Sequence, residues 1–184
     1  MKRIGSLLVL CLVVAAPAAH ASTSLVTEGF VNAPVAEVWR IFTTSEELPK
    51  LGVAQGQVDL RLGGQIRTHT DPKGMLGDAE TSIYEILAYE PERMLAVRLQ
   101  RAPASFPHRD ALERLWTVLY FTPSGADMTH VRIVALGLDD EPRWNAARAY
   151  FERHHRWTLD HLAKQYWPQC ARCALEEAEE EMEP

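Results

Sequence analysis

The chain has 184 residues and a formal net charge of −6; 47% of its residues are hydrophobic and 24% are charged. These proportions are ordinary for one globular domain with a real core. Outside its C-terminal tail the domain is only mildly acidic, so the composition gives no support for a nucleic-acid partner or an anionic membrane surface.

The first 21 residues have the three parts of a cleavable signal peptide. Lys2 and Arg3 are positive, residues 7–16 form an unbroken apolar run, and residues 19–21 supply the small-x-small pattern that signal peptidase recognises. A helix needs about 20 apolar residues to cross a bilayer, so this run is too short, and no later stretch qualifies. We predict cleavage before Ser22, no membrane span, and a periplasmic or extracellular location.

The C-terminal segment, residues 168–184, combines a cysteine pair with an acidic tail. Residues 176–184 carry six glutamates and no basic residue, which predicts a disordered, solvated tail. Cys170 and Cys173 form a C-x-x-C motif, for which a local disulfide is the favoured interpretation in an oxidising compartment. Thioredoxin-like chemistry would need the pair at a helix N-terminus, and zinc would need two further ligands. An intermolecular disulfide stays open, and no metal or cofactor is predicted.

The domain, predicted to span residues 22–167, begins with a strand and two short helices. Residues 24–31 have strand character, and the following helix begins near Pro34, with Asn32 or Ala33 at its cap. A second helical turn is predicted over residues 45–51, where Ser45 would be the cap.

From residue 57 onward the apolar residues recur with a period of two, which is typical of strands. Gly63 and Gly64 separate the first two of these strands and predict a hairpin turn. Residues 102–111 contain two prolines and are predicted to be a loop. The predicted strands are residues 57–62, 65–71, 80–89, 94–100, 112–122 and 128–138.

One long helix is predicted over residues 141–167. An antiparallel meander must cover one of its faces, and this helix is the only element long enough to do so. The predicted fold class is therefore α+β, with an antiparallel sheet packed against a C-terminal helix. The apolar stripe of the helix consists of Trp144, Ala147, Phe151, Thr158, Leu162 and Tyr166, with His155 in its one long gap.

Four short motifs, in this order along the chain, resemble one known family. Residues 33–39 resemble the A-P-x-E-x-V-W opening of the SRPBCC superfamily, also called START-like or Bet v 1-like. Residues 60–66 are similar to the F-R-x-G-G-x-F hairpin of its subfamily named after the activator of Hsp90 ATPase. The turn at residues 90–93 and the Gly-Leu pair that ends the last strand, residues 137–138, fit the same subfamily.

This resemblance implies a helix-grip fold, in which a curved antiparallel sheet wraps around a long C-terminal helix and two short helices follow the first strand. It also implies a cavity between sheet and helix. Members bind lipids, hormones or polyketides, and some are enzymes, but they share no catalytic motif, so no catalytic residue is assigned. The subfamily usually has a tryptophan where this chain has residues 50–52 (Lys-Leu-Gly). Export would separate the chain from cytosolic Hsp90, so we expect no such partner.

Strand parity predicts which side chains line the cavity. If Leu95, Val97 and Leu99 face inward, the matching faces of the next two strands are mostly apolar with a few hydroxyl groups, which suits a small hydrophobic ligand. The alternative is that these side chains fill the space and leave no pocket. The candidate ligand-binding residues are Leu99, Thr117, Phe121, Val131, Ile133, Phe151 and His155.

The histidines of the last helix do not predict a metal site, because His154 and His155 point about 100° apart and His161 is not at i,i+4 spacing from His155. His155 would face the sheet, where a satisfied core histidine is the favoured interpretation over a ligand-binding or acid–base role.

The opposite face of the sheet is predicted to be unusually apolar. Trp116, Val118 and Tyr120 would point outward, beside Val134 and Leu136, and form a candidate homodimer or partner surface unless the loop 102–111 covers it. The leading hypothesis is an exported binding protein for a small apolar molecule. An interaction module that uses the outward face is the second hypothesis, and a cyclase- or hydrolase-type enzyme that uses His155 is the third.

Overall fold

Seven antiparallel strands form a single sheet that curves around a long C-terminal helix. The computed structural model describes residues 24–138 and 140–167. The strand order is β1-β7-β6-β5-β4-β3-β2. The strands are β1 (Leu25–Val31), β2 (Gln55–Val58), β3 (Gln65–His69), β4 (Ser82–Glu90), β5 (Met94–Arg101), β6 (Trp116–Pro123) and β7 (Thr129–Leu136). The helices are α1 (Val35–Thr43) and α2 (Asn145–Gln165), with short 3₁₀ segments at Leu48–Leu51, Arg109–Ala111 and Pro142–Trp144.

This architecture confirms the predicted α+β helix-grip class. The first strand pairs with the last, from Leu25 opposite Ala135 to Val31 opposite Thr129. Because β1 does not pair with β2, the chain crosses from one edge of the sheet to the other through α1 and the first 3₁₀ segment. The predicted signal peptide and the predicted disulfide between Cys170 and Cys173 lie outside the described residues.

Helix α1 buries one side and exposes the other. Val38, Trp39, Ile41 and Phe42 are buried, as expected from their helical spacing. The residue at its N-cap is Pro34, and no side chain caps the helix there, so the predicted cap at Asn32 or Ala33 is wrong.

Ser45 does not cap the next segment either. Its hydroxyl accepts a hydrogen bond from the backbone N–H of Val58 at 2.9 Å, and the helical turn begins only at Leu48. Ser45 thus ties the α1 side of the chain to β2, because a free hydroxyl satisfies a strand N–H as well as a helix one.

Strand β2 ends earlier than the alternation of the sequence predicts. It stops at Val58, and Leu62, predicted to continue the apolar face, has 66% of its surface exposed. Gly63 has a φ of 70°, a left-handed conformation that favours glycine. The backbone of Gly63 and Gly64 bonds to Ile86 of β4, at 2.9 and 2.8 Å. These bonds fold residues 59–64 back onto β4 and end the strand.

Helix α2 packs most closely on β1. Its buried residues are Ala147, Phe151, His155, Leu159 and Leu162, so Leu159 takes the inward position that the sequence pattern assigned to Thr158. A Cβ added to Gly29 on β1 would lie 3.3 Å from the Cβ of Leu159. Glycine at this position therefore lets the helix lie against the strand.

The buried apolar side chains form two clusters, one at each end of the inner face. The first contains α1 and the C-terminal end of α2, with Trp39, Phe42, Phe121 and Leu162 among its members. The second lies around the start of α2, with Leu115, Leu138, Trp144, Ala147 and Phe151. Within the described ranges, no helix is long and apolar enough to cross a membrane.

Candidate ligand-binding cavity

A cavity of about 220 Å³ lies between the two clusters. Its walls are the inner faces of β3, β4, β5, β6 and β7, one side of α2, and the segment that follows α1. Most of the wall is apolar, with Leu95, Val97, Leu119 and Ile133 contributed by three adjacent strands. Residues of both clusters contribute to the cavity wall, among them Leu95 of the first and Phe151 of the second.

Parity along the strands puts the predicted residues on the inner face, but not all of them reach the cavity. Phe121 and Val131 do not line it and are almost fully buried, 3% and 0% exposed. The ring of Phe121 meets those of Trp39 and Phe42 at centroid distances of 5.5 and 5.4 Å, so α1 occupies that end of the inner face. The predicted residues that line the cavity are Leu99, Thr117, Ile133, Phe151 and His155.

Several lining residues were missed, most of them on β3, β4 and the segment that follows α1. The additional polar ones are Thr68, Thr70, Ser82 and Tyr84 of β3, β4 and the segment between them, and His154 and Thr158 of α2. The alternation of Ser82, Tyr84 and Ile86 on β4 is a signal that could have identified them. Polar side chains are therefore more numerous in the wall than the sequence analysis indicated.

His155 is the most unusual side chain in this wall. It is 7% exposed, and neither ring nitrogen has a hydrogen-bond partner among the described residues; Nδ1 is fully buried. Burial, with a smaller contribution from His154, lowers the pKa of His155 to about 4, so the ring is neutral at pH 7. No carboxylate of the described residues bonds to it, so nothing orients it as a general base in the manner of a catalytic triad.

Tyr84 lies on the opposite wall from helix α2. Burial raises the pKa of its hydroxyl, as does the neighbouring Tyr150, while a hydrogen bond with Ser82 opposes the shift. The phenol therefore keeps its proton at neutral pH and can donate a hydrogen bond.

The loop after β5 supports the helix side of this region. Phe106 packs edge-on against Tyr150 at 5.2 Å, and Tyr150 stacks with His154 at 6.4 Å. The His154 ring is exposed at the surface, and partial desolvation lowers its pKa. The loop thus packs on α2 and not on the outward face of the sheet.

The cavity wall has no ionised side chain: within the described residues, no Asp, Glu, Lys or Arg lines it. A charged network lies next to Leu51 in the chain, where the ammonium of Lys50 contacts Glu47 at 2.7 Å and the Tyr166 hydroxyl at 3.1 Å. That hydroxyl in turn donates to Glu37 at 2.9 Å. These bonds raise the pKa of Lys50 and join the first 3₁₀ segment to the end of α2.

The segment with Lys-Leu-Gly at residues 50–52 borders the cavity through Leu51. Gly52 has a φ of 80°, and a Cβ there would lie 2.3 Å from the ring of Trp157 on α2. An indole from the helix thus covers this segment, which supplies no tryptophan of its own. Across the described residues, no three His, Cys, Asp or Glu side chains cluster in a way that could hold a metal ion.

The outward face is apolar along one row that crosses four strands. Val26, Val134, Val118 and Ala96 are cross-strand neighbours in that row. Trp116 and Tyr120 are 39% and 40% exposed, which agrees with their predicted outward orientation. Val118 and Val134 lie in the same outward row, as predicted, but are only 5% and 6% exposed.

The sequence matches the family of activator of Hsp90 ATPase homolog 1-like proteins over residues 32–173. The chain belongs to this family. The matched region includes every residue that lines the cavity, from Phe42 to Thr158. A comparison with curated proteins found no match.

Solved structures share the fold of this family member. Protein MLL2253 from Mesorhizobium loti is 18% identical, with a TM-score of 0.60, and the match covers 80% of this chain and 98% of that chain. Protein NE0264 from Nitrosomonas europaea is 22% identical, with a TM-score of 0.56 and coverages of 78% and 94%. CalU16 from Micromonospora echinospora is 20% identical, with a TM-score of 0.55 and coverages of 85% and 83%. At these identities the likeness is one of fold alone.

Proposed function

We propose that this protein is an exported binding protein for a small hydrophobic ligand, held between the sheet and helix α2. The observation that carries the proposal is the cavity of about 220 Å³, whose wall combines residues of both apolar clusters. Protein interiors are close-packed, and voids larger than a water molecule are few. A space of this size in the middle of the inner face is therefore a feature that a binding function explains.

The chemistry of the wall supports an apolar ligand. Leucine, valine, isoleucine and phenylalanine side chains make up most of it, and such surfaces gain free energy when they are removed from water. Pockets for drug-sized ligands measure roughly 300–1,000 Å³, so this smaller cavity suits a compound of one or two rings or a short acyl chain.

Export rests on the N-terminal pattern, residues 1–21. Its test is the mass of the protein purified from its natural host, which we expect to begin at Ser22. An alkaline phosphatase fusion to residues 1–30 should be active only outside the cytoplasm, and deletion of residues 7–16 should abolish that activity. A purified chain that retains Met1 would contradict the export proposal and leave ligand binding untouched.

Ligand binding is tested by native mass spectrometry of the host-purified protein, followed by thermal-shift measurements against a panel of lipids and small aromatic compounds. We expect a bound small molecule in the wild type, or a raised melting temperature with at least one panel member. Thr117→Leu extends an inward side chain into the cavity, so this variant should show neither a bound small molecule nor a raised melting temperature. Absence of any bound species and of any thermal shift would contradict the proposal.

A second candidate function, homodimerisation, is favoured by the exposure of Trp116 and Tyr120 on the outward face. The occupant would be a second copy of this chain. Glu28 and Arg132 form an ion pair at 3.0 Å beside the apolar row, so the face presents charges of both signs and can be complementary to itself across a two-fold axis. Sedimentation should detect a dimer that Trp116→Glu dissociates; a wild type that sediments as a monomer up to millimolar concentration would exclude it.

A further inference from the structure

We propose that the cavity selects neutral ligands that carry a hydroxyl group, and that His155 on α2 binds this hydroxyl through a hydrogen bond. The inference rests on the proposed ligand-binding function and assigns its ligand class. A neutral imidazole has one N–H donor and one acceptor nitrogen, and a hydroxyl group can bond to either of them.

The first support is the unfilled hydrogen-bonding capacity of His155. Buried polar groups in native proteins are almost always hydrogen-bonded, and this ring, 7% exposed, has no partner on either nitrogen within the described residues. A histidine that only filled the core would be expected to bond to a neighbouring backbone or side-chain group. The ring lines the cavity, and because Nδ1 has no accessible surface, Nε2 is the nitrogen that a cavity occupant can reach.

The second support is the distribution of polar groups in the wall. Ser82 and Tyr84 on β4 and Thr117 on β6 line the same cavity as His155. Their hydroxyl groups can donate or accept, as the imidazole can, so the wall is apolar with several neutral hydrogen-bonding groups. Such a wall suits an amphipathic molecule better than a pure hydrocarbon.

The third support is the absence of charge. Because no Lys or Arg of the described residues lines the cavity, a bound carboxylate would lie unpaired in an apolar site, which is strongly unfavourable. His155 would offer no countercharge near pH 7, since burial keeps it neutral. The wall therefore selects against anionic head groups such as that of a free fatty acid.

Three probes of the same ring system separate these contributions: 2-naphthol, 2-methylnaphthalene and 2-naphthoate. Their dissociation constants are measured at pH 7 by NMR titration of the full mature chain. Since 2-methylnaphthalene is the more hydrophobic of the neutral pair, it binds more tightly unless a hydrogen bond favours the hydroxyl. We expect 2-naphthol to bind about three- to tenfold more tightly, as one net hydrogen bond allows, and 2-naphthoate to bind most weakly.

Variants assign this preference to His155. In His155→Phe the order of the neutral probes should reverse, while His155→Gln, which keeps a hydrogen-bonding group, should retain a preference for 2-naphthol. His161→Phe is the matched control, because it makes the same change on the same helix at a residue that does not line the cavity. That control should bind all three probes as the wild type does.

The outcomes distinguish this inference from the function on which it rests. If 2-methylnaphthalene binds at least as tightly as 2-naphthol in the wild type, the hydroxyl preference is wrong and apolar binding stands. If His155→Phe keeps the wild-type order, the assignment to His155 is wrong. If none of the three probes binds, the inference is overturned, and the proposed function is decided by native mass spectrometry and the thermal-shift panel. Should His155→Phe fail to fold, the wild-type comparison and His155→Gln still decide.

Discussion

Side chains that point inward are packed tightly at one end of the inner face and line the cavity at the other. On β6, Phe121 and Thr117 both point inward, yet Phe121 is enclosed by the rings of Trp39 and Phe42 while Thr117 lines open space. On α2, Leu162 is fully buried, whereas His155 borders the cavity. The difference is α1, which is only nine residues long and covers one end of the sheet. The alternation of side chains along a strand decides which face of the sheet a residue lies on. The element that packs on that face decides whether the space beside the residue is filled.

The largest expected effect is on the free energy of unfolding, when one leucine is truncated at each end of the inner face. Leu162→Ala should lower the free energy of unfolding by about 3–5 kcal/mol, because a fully buried leucine leaves an empty volume behind. Leu99→Ala should cost less, about 1–2 kcal/mol, since Leu99 already borders open space. Urea unfolding measures both values, and equal losses would show that the cavity end is packed as tightly as the filled end.

Acid should destabilise the cavity end specifically. The pKa of His155 is about 4 in the folded protein and about 6.5 when unfolded, so the unfolded state binds more protons between these values. The contribution of His155 to the free energy of unfolding is therefore fully present above about pH 6.5. It is lost as the pH drops to about 4, which lowers the free energy of unfolding by on the order of 1–3 kcal/mol. His154 shifts in the same direction, and Tyr84, which also faces the cavity, stays protonated throughout this range.

Unfolding of wild type and His155→Phe at pH 7 and pH 4.5 isolates this contribution. The phenylalanine variant should lose less stability on acidification than the wild type. Identical pH dependence of the two proteins would indicate that His155 is solvated in the folded state.

A smaller effect is expected where α2 approaches the sheet. Alanine normally stabilises a strand relative to glycine, but Gly29→Ala would place its Cβ 3.3 Å from Leu159. We expect a loss of about 1 kcal/mol. In the Leu159→Ala background the same change should become neutral or stabilising, and a double-mutant cycle measures the difference. Additive effects of the two substitutions would contradict this close contact.

The smallest expected effect is a gain. Thr117→Leu should fill part of the cavity and raise the free energy of unfolding by about 0.5–1 kcal/mol. The gain should accompany the loss of ligand binding, since the larger side chain takes the space of the ligand. If the variant is destabilised instead, the space near Thr117 is smaller than the structure indicates.

Much of the fold was predictable because it depends on local signals. The period of two from residue 57 onward identified the strands of the meander, and the spacing of apolar residues after residue 141 identified α2. The ends of elements were less predictable. Strand β2 stops at Val58 because Gly63 and Gly64 bond to β4, and Ser45 bonds to Val58 and caps no helix. Both bonds join residues distant in sequence, so no local pattern contains them.

The sequence by itself determined the fold class, the inner faces of β5, β6 and β7 and the position of His155 opposite the sheet, because these follow from the periods of strand and helix. The tertiary structure alone decided that α1 encloses Phe121 and Val131, that β3 and β4 add Thr68, Ser82 and Tyr84 to the wall, and that His155 has no partner. Packing and hydrogen bonding depend on which elements contact each other in space, and these contacts join residues that are far apart in the chain.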